Sequence, residues 1–421
     1  MRTWAWFWAI GVVAWGLVPP TKLRPFLPIM EAFVEPILPT GPRVTTIDGF
    51  RVLQLNMLAD GLSGLRRDLG AFSRAKASHM KWDKRKLQLI QEILQYAPDL
   101  ITLQECDHYY DFFLPELSAL GYDGLFAPKP ASACLEVSEN SDGCAIFLKR
   151  GKFRVTSTET VTFALAKCQV TQNREREEDQ QIRAQNQIAL VALCELANAT
   201  HCPASSAAPQ VIICTTHLKA TKNLIGEKTR QVEVLQLLAA LSELFEARKA
   251  EAQLLARPEP IILLTGDLNA APNDVETGFE ALAYSAVKDS PLRLRSVLND
   301  DITAGDGHDA LDVWTTWKAR KKKGKEAVAK SCIDYILYRP LQAAHAEAAS
   351  GGASAPIAPI VPAGLRARAI LKLFNLTDIG AALLPSESYP SDHVAIAADL
   401  EVVVQWPSEA SEVTGAGSRR M

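Results

Sequence analysis

From Thr45 onward, short apolar runs alternate with amphipathic stretches. The runs at 51–56 (RVLQLN), 100–104 (LITLQ), 144–148 (CAIFL), 153–161, 187–195 (QIALVALCE), 210–216 (QVIICTT), 260–266 (PIILLTG), 333–338 (IDYILY) and 394–403 (VAIAADLEVV) are β-branched or aliphatic and end in turn residues or charges. That pattern predicts strands. Apolar residues at helical spacing predict helices over 82–96, 108–120, 226–254 and 272–283. In the first of these, Leu87, Ile90, Ile93 and Leu94 share one face, with Lys and Arg opposite. Strand–helix–strand units stand beside runs of consecutive strands. The mixture predicts an α+β sandwich with helices outside paired sheets, rather than a pure βαβ repeat.

Four segments break the pattern. Residues 171–185 (TQNREREEDQQIRAQ) are almost wholly polar, and 344–363 (AHAEAASGGASAPIAPIVPA) are rich in Ala, Ser, Gly and Pro. Both read as surface insertions, because low hydrophobicity cannot offset ordering entropy. Residues 406–421 read as a flexible tail. Residues 1–40 read as an apolar targeting or anchoring segment with its linker, outside the domain expected over 45–405. The uncharged run Trp4–Val18 follows Arg2 and ends at Pro19 and Pro20. As a helix it would span about 22 Å, short of the roughly 30 Å hydrocarbon core. Three readings stand: membrane association through residues 4–18, a cleaved signal peptide, or an organellar (mitochondrial or secretory) address on an otherwise intracellular protein. The sequons at Asn198 and Asn375 matter only on a lumenal side.

The composition narrows this picture. With 48% hydrophobic and 22% charged residues among 421, the chain can bury a sizeable core. Its 45 basic and 48 acidic residues exclude a uniformly basic coat, so any polyanion site is a local concentration of charge. Eight cysteines form no CxxC and no zinc spacing, and read as buried thiols.

Polar side chains recur where the apolar runs end. Asn56 closes RVLQLN, and Gln104 and Glu105 close LITLQE. His217 closes VIICTTH, and Asp267 and Asn269 follow IILLTG. Asp334 interrupts an apolar run, and Asp392 and His393 sit in YPSDHVAI. Most of these alone are explained by a turn or a surface histidine, whereas Asp334 inside an apolar run calls for a partner whatever its role. Together, at one end of a shared sheet, they make a pocket of hard oxygen donors and two imidazoles. Such a set suits Mg²⁺, or alternatively Mn²⁺, more than zinc. Its natural chemistry is phosphate-ester hydrolysis.

The ordered string Asn56, LQE at 103–105, THLKA at 216–220, GDLNA at 266–270, IDY at 333–335 and SDH at 391–393 resembles the endonuclease/exonuclease/phosphatase superfamily, over about residues 50–403. Within it the chain resembles the CCR4-type deadenylase branch, through KWDKRKLQLIQEIL, APDLITLQECDHYYDFFLPELSALGY, FAPKP, DGCAIFLKR, WTTWKAR and YPSDH. The resemblance implies a four-layer α/β/β/α sandwich and a monomeric catalytic domain. It implies Glu105 as the main metal ligand, with Asn56 beside it. Asp267 would activate water and Asn269 would hold it. His217 and His393 would donate to phosphate oxygens, Asp334 would orient His393, and Asp392 would complete the metal or imidazole environment.

The resemblance also implies Lys129, Asn186, Lys219 and Arg320 as substrate contacts. The implied substrates are poly(A) RNA, trimmed from its 3′ end, or NADP(H), stripped of its 2′-phosphate. Thr221 departs from the arginine that relatives carry after THLKA. A catalytically silent adaptor is the reading from another class, and the full set of acidic and imidazole groups speaks against it. Lys129, Lys149, Lys219 and the run from Lys318 to Lys325 are the basic residues near the motifs. Trp314 and Trp317 beside that run read as base-stacking or as core.

Overall fold

Alternate residues of a strand face opposite ways, and the interior of this protein follows from that. In β2 (Arg43–Asn56), Phe50 and Val52 enter one apolar cluster while Leu53 and Leu55 enter another. In β8 (Gln210–His217), Val211 and Ile213 join the first cluster, and Ile212 and Cys214 join a third. The cluster common to both strands is the seam between two sheets. A computed structural model describes residues 22–29, 43–64, 72–163, 186–197, 208–272, 280–298, 313–322, 324–342 and 360–406. The run 4–18, the sequon at Asn198, the insertion 171–185, most of 344–363 and the tail lie outside the described residues.

One sheet has seven strands in the order β1 (Phe26–Pro28), β14 (Ala363–Leu371), β15 (Ile396–Trp406), β2, β3 (Leu100–Gln104), β5 (Gly143–Lys149) and β4 (Tyr122–Pro128). The other has six, in the order β10 (Arg295–Ser296), β13 (Asp334–Tyr338), β9 (Ile261–Asp267), β8, β7 (Ile188–Leu196) and β6 (Phe153–Thr162). A separate hairpin joins β11 (Thr316–Lys322) to β12 (Lys325–Ser331). Val52, Leu100, Ile146 and Ile396 of the first sheet pack against Ala192, Ile213, Ile261 and Ile336 of the second. Outside the first sheet, the helix Trp82–Leu94 seats Leu89, Ile90 and Ile93. Outside the second, the helix Leu224–Leu254 seats Val234, Leu237, Leu241 and Phe245. Helix, sheet, sheet and helix make the four layers expected.

Each of the nine expected strands lies within or overlaps an observed one. The helix expected at 108–120 begins as a π-turn, Tyr109–Phe113, and becomes α-helical at Leu114–Ala119, with Pro115 in the first turn where its missing N–H is harmless. The helix expected at 272–283 has residues 273–279 outside the described set; the described helix is Leu282–Lys288. The face expected for 82–96 also needs correction. Arg85, expected on the polar side with the other Lys and Arg, is fully buried, as is Glu92. Residues 1–40 do not all stand outside the fold, since Phe26–Pro28 pairs antiparallel with Ala369–Leu371. Arg24, nearly fully buried, donates to Glu92 at 2.8 Å and to the Ala395 carbonyl at 2.9 Å.

Strand parity carries the seam into its polar end. After Val52, the inward residues of β2 are Gln54 and Asn56; β3 contributes Thr102 and Gln104, β8 Thr215 and His217, and β9 Thr265 and Asp267, all buried. Parallel pairing sets Asn56 beside Gln104 and His217 beside Asp267, and antiparallel pairing sets Asp334 beside Asp267. The same alternation that builds the core thus ends as a ring of polar groups.

Candidate active site

At the polar end, two carboxylates meet on one amide. Asn56 Nδ2 donates to Glu105 Oε1 and to Asp267 Oδ2, each at 3.0 Å. Its Oδ1 is engaged by the Leu58 N–H at 3.1 Å. Glu105 Oε2 accepts from the Ala59 N–H at 3.1 Å, and Asp267 Oδ1 from the Asn269 N–H at 2.9 Å. Local backbone makes this possible. Glu105 (φ 56°) and Asn269 (φ 51°) adopt left-handed conformations that residues with a Cβ seldom take, turning each chain sharply at its strand end. Gly266 (φ 143°) lies where a Cβ would collide with the Thr216 carbonyl, so β9 can sit this close to β8 only with glycine there.

Two converging carboxylates repel unless a cation lies between or beside them. The carboxylate oxygens of Glu105 and Asp267 that converge on the Asn56 amide are hard donors, which fit a hard divalent ion. Asp267, Asp334 and His393 also bring ligand atoms within 4.8 Å of one another. That trio is less suited to metal, because Asp334 already accepts from Gln54 at 3.2 Å and Thr315 at 2.6 Å, and pairs with His393 Nδ1 at 2.8 Å.

Two imidazoles approach the same oxygen of Asp267. His217 Nε2 lies 3.6 Å from Asp267 Oδ2, and His393 Nε2 lies 3.8 Å from the same atom. Their charge states differ. Burial and then the Lys129 ammonium, 3.3 Å from Nδ1, push the pKa of His217 down to about 3. With Nδ1 facing that ammonium, the neutral ring carries its proton on Nε2. For His393, burial and then the Lys318 ammonium oppose charge, but the carboxylates of Asp334, Asp392 and Asp267 together outweigh them, and the pKa rises to about 9. Both rings therefore present an Nε2–H toward the same region.

The other expected residues are distributed around this centre. Asp392 is buried 3.9 Å from His393 Nε2 and takes Lys318 at 2.5 Å and Arg320 at 3.3 Å. Burial disfavours its charge, yet Lys318, His393 and Arg320 hold its pKa far below the usual carboxylate range. Lys129 is buried and ion-paired with Asp142 at 2.7 Å. Asn186 bonds both backbone groups of Ala131, with Oδ1 accepting at 2.6 Å, and so pins the segment behind Lys129. Lys219 donates its backbone N–H to Glu233 at 2.9 Å.

Thr221 offers its carbonyl to Arg230 at 2.7 Å, which fixes the turn where relatives carry arginine. Lys149, expected near the motifs, pairs with Tyr122 at the far end of β4–β5 from Gly143 and lies 4.0 Å from Asp99. Trp314 cannot stack on a base: it is buried, in edge contact with Trp317, whose ring carries Lys330 at 4.3 Å.

Lys318 and Gln104, read above only as a basic residue near the motifs and a strand-end amide, have defined places at the site, and Gln54, Thr215 and Arg85 were not anticipated. Lys318 Nζ lies 3.3 Å from His393 Nε2. Its signal was parity with Arg320, visible only once 316–322 is known to be a strand. Gln54, Gln104 and Thr215 form a buried chain across the seam, at 2.5 and 2.9 Å, leading to Asp334. Arg85 donates to the carbonyls of Met57 and Pro390, each at 2.8 Å, and so ties the loop after Asn56 to the loop before Asp392.

Comparison with known proteins agrees with this arrangement. A profile of the Endonuclease/Exonuclease/phosphatase family matches residues 53–393. Human nocturnin is 30% identical over 351 residues, which are 83% of this chain and 64% of that protein. The chain thus spans under two thirds of the length of that relative. The solved catalytic domain of human nocturnin with bound sulfate anion superposes with a TM-score of 0.55 at 27% identity, covering 86% of this chain and 97% of that one. ANGEL2, a 2′,3′-cyclic phosphatase, shares the fold with a TM-score of 0.58 at 18% identity, over 86% of this chain and 98% of that one. A nocturnin-like member by both sequence and fold, this chain belongs to the endonuclease/exonuclease/phosphatase family.

Proposed function

We propose that this chain is a Mg²⁺-dependent exoribonuclease that removes nucleotides from the 3′ end of poly(A) RNA. One observation carries the reading: a neutral and a cationic imidazole direct Nε2 at the same oxygen of Asp267, next to the Glu105 carboxylate. Glu105, steadied by Asn56, would hold the metal, which when bound would supply neutralisation of phosphate charge and a more acidic water. Asp267 takes the proton of the attacking water, and the backbone N–H of Asn269 fixes the carboxylate for that task. His217 and His393 donate to the non-bridging oxygens as their charge grows, without themselves reorganising. The new P–O bond forms as the bond to the leaving ribose oxygen breaks. No covalent enzyme intermediate is required.

A second reading, release of the 2′-phosphate of NADP(H), draws on Lys129, a buried ammonium between His217 and Asp142 that suits a compact terminal phosphate. Both are tested in one experiment. Purified protein with Mg²⁺ is given oligo(A) and, separately, NADP⁺, with Glu105→Ala alongside. Stepwise shortening of oligo(A), lost in the variant, is the expected result. Oligo(A) left intact by excess enzyme, with phosphate released from NADP⁺ above the variant's rate, transfers the assignment to the second reading.

A further inference from the structure

We propose that the hairpin β11–β12 is a phosphate track that leads a single strand of RNA into the catalytic pocket. The proposal rests on the exoribonuclease reading and adds a binding surface to it.

The hairpin register pairs Lys318 with Ala329, Arg320 with Ala327, and position 322 with Lys325. Alternation therefore puts Thr316, Lys318, Arg320 and Lys325 on one face. The inner end of that face is the active site itself. Thr316 Oγ1 donates to the Asp392 carbonyl at 2.7 Å, and Lys318 and Arg320 both reach the Asp392 carboxylate. Lys318 Nζ lies 3.3 Å from His393 Nε2. The outer end is Lys325, exposed at the turn. Between the cations the cross-strand partners are alanines, whose short side chains leave the face open to a chain lying along it.

Spacing and charge fit one ligand class. Alternate residues of a strand stand about 6.7 Å apart. An unstacked single strand, drawn out to about twice the ~3.4 Å rise of a stacked one, can meet successive cations with successive phosphates. Residues 316–331 hold seven Lys or Arg and one acid, Glu326. That acid pairs with Lys321 on the opposite face and is bound by Arg74 and Ser73, each at 2.7 Å. The hairpin is also firmly seated. Phe72 lies under the Arg320 guanidinium at 4.2 Å, and Ser73 N–H donates to the Ala319 carbonyl at 2.9 Å. A dinucleotide with clustered phosphates would leave the outer part of this face unused.

Lys325 and Lys321 supply the test, since one lies on the track face and the other on the opposite face of the same hairpin. The full chain with Mg²⁺ is assayed on oligo(A) of two to twelve nucleotides. The expected result is kcat/KM that rises with length, and a Lys325→Ala variant that loses about 3–10-fold on long substrates and none on the dinucleotide, with a shallower salt dependence. Lys321→Ala should behave as wild type at every length. Equal effects of the two variants, or a rate independent of length, overturn the track while leaving exonuclease activity intact. If wild type shortens no oligo(A) at all, the exoribonuclease reading fails first and the track falls with it.

Discussion

His217 and His393 stand at nearly equal distances from Asp267, yet one is neutral and the other charged. The difference lies in what stands behind each ring. Lys129 faces Nδ1 of His217, and Asp334 faces Nδ1 of His393. Burial alone would discharge both. Around His393 the carboxylates of Asp334, Asp392 and Asp267 together reverse that outcome in spite of Lys318, and at His217 the Lys129 ammonium reinforces it. Charge state here is a property of the second neighbour, so two residues of one type, equally buried, can do different electrostatic work.

The largest effect expected removes the group common to both sides. Asp267→Asn should lower kcat by about 10²–10⁴-fold, the usual range for loss of a positioned general base. Its melting temperature should stay within a few degrees of wild type, since one converging charge is removed; unfolding instead would make Asp267 structural. Next, Asp334→Asn makes the His393 side resemble the His217 side. His393 must be protonated to act as the cationic donor, so wild-type activity should fall as pH rises through about 9. In the variant this limb should move toward 6.5 and kcat should drop about 10²–10³-fold. A limb that stays at 9 would separate the charge of His393 from Asp334.

Folding carries the same signature. A raised histidine pKa stabilises the folded protein fully below 6.5, and that stability is lost as pH climbs from 6.5 through about 9. Equilibrium urea unfolding should register a decline of roughly 1–3 kcal/mol over that window. Gly266→Ala attacks the register that holds His217 beside Asp267, by adding a Cβ against the Thr216 carbonyl at φ 143°. A loss of about 2–4 kcal/mol should appear by the same measurement. The smallest change is Lys129→Met. It should raise the pKa of His217 from about 3 and lower kcat/KM by about tenfold, the loss of one charged hydrogen bond. A pH–rate profile with no change in its acidic limb would show that burial alone sets the charge of His217.

Much of this was legible in the chain, and the exceptions share a cause. Strands such as 261–267 and 210–217 announce themselves because both faces are buried and the runs from Ile261 and Val211 are apolar until the polar end. β4 was missed because GYDGLFAP breaks its alternation with glycine and proline, and β14 because small alanines beside a Pro/Ala-rich stretch give no periodic signal. β11–β12 reads as a charge run because most of β12 is exposed and the cations of β11 mask its buried positions, and strand parity within it is silent until pairing is known. Arg85 reads as solvent-facing, since a buried ion's partners, here carbonyls of distant loops, leave no trace at neighbouring positions.

By itself, the order of residues determined which side chains could do chemistry and a sandwich of paired sheets with helices outside, which the family resemblance sharpened to four layers. Period-two alternation fixes which residues face the seam, and acids, amides and imidazoles at strand ends have few other uses in such number. Only the tertiary structure decided what each of those groups is. Whether an imidazole is charged, which carboxylate is left open for a cation, and which lysine is spent on an ion pair depend on partners brought from elsewhere in the chain. Electrostatic energies fall off over a few ångströms, so they are set by where the folded chain places those partners.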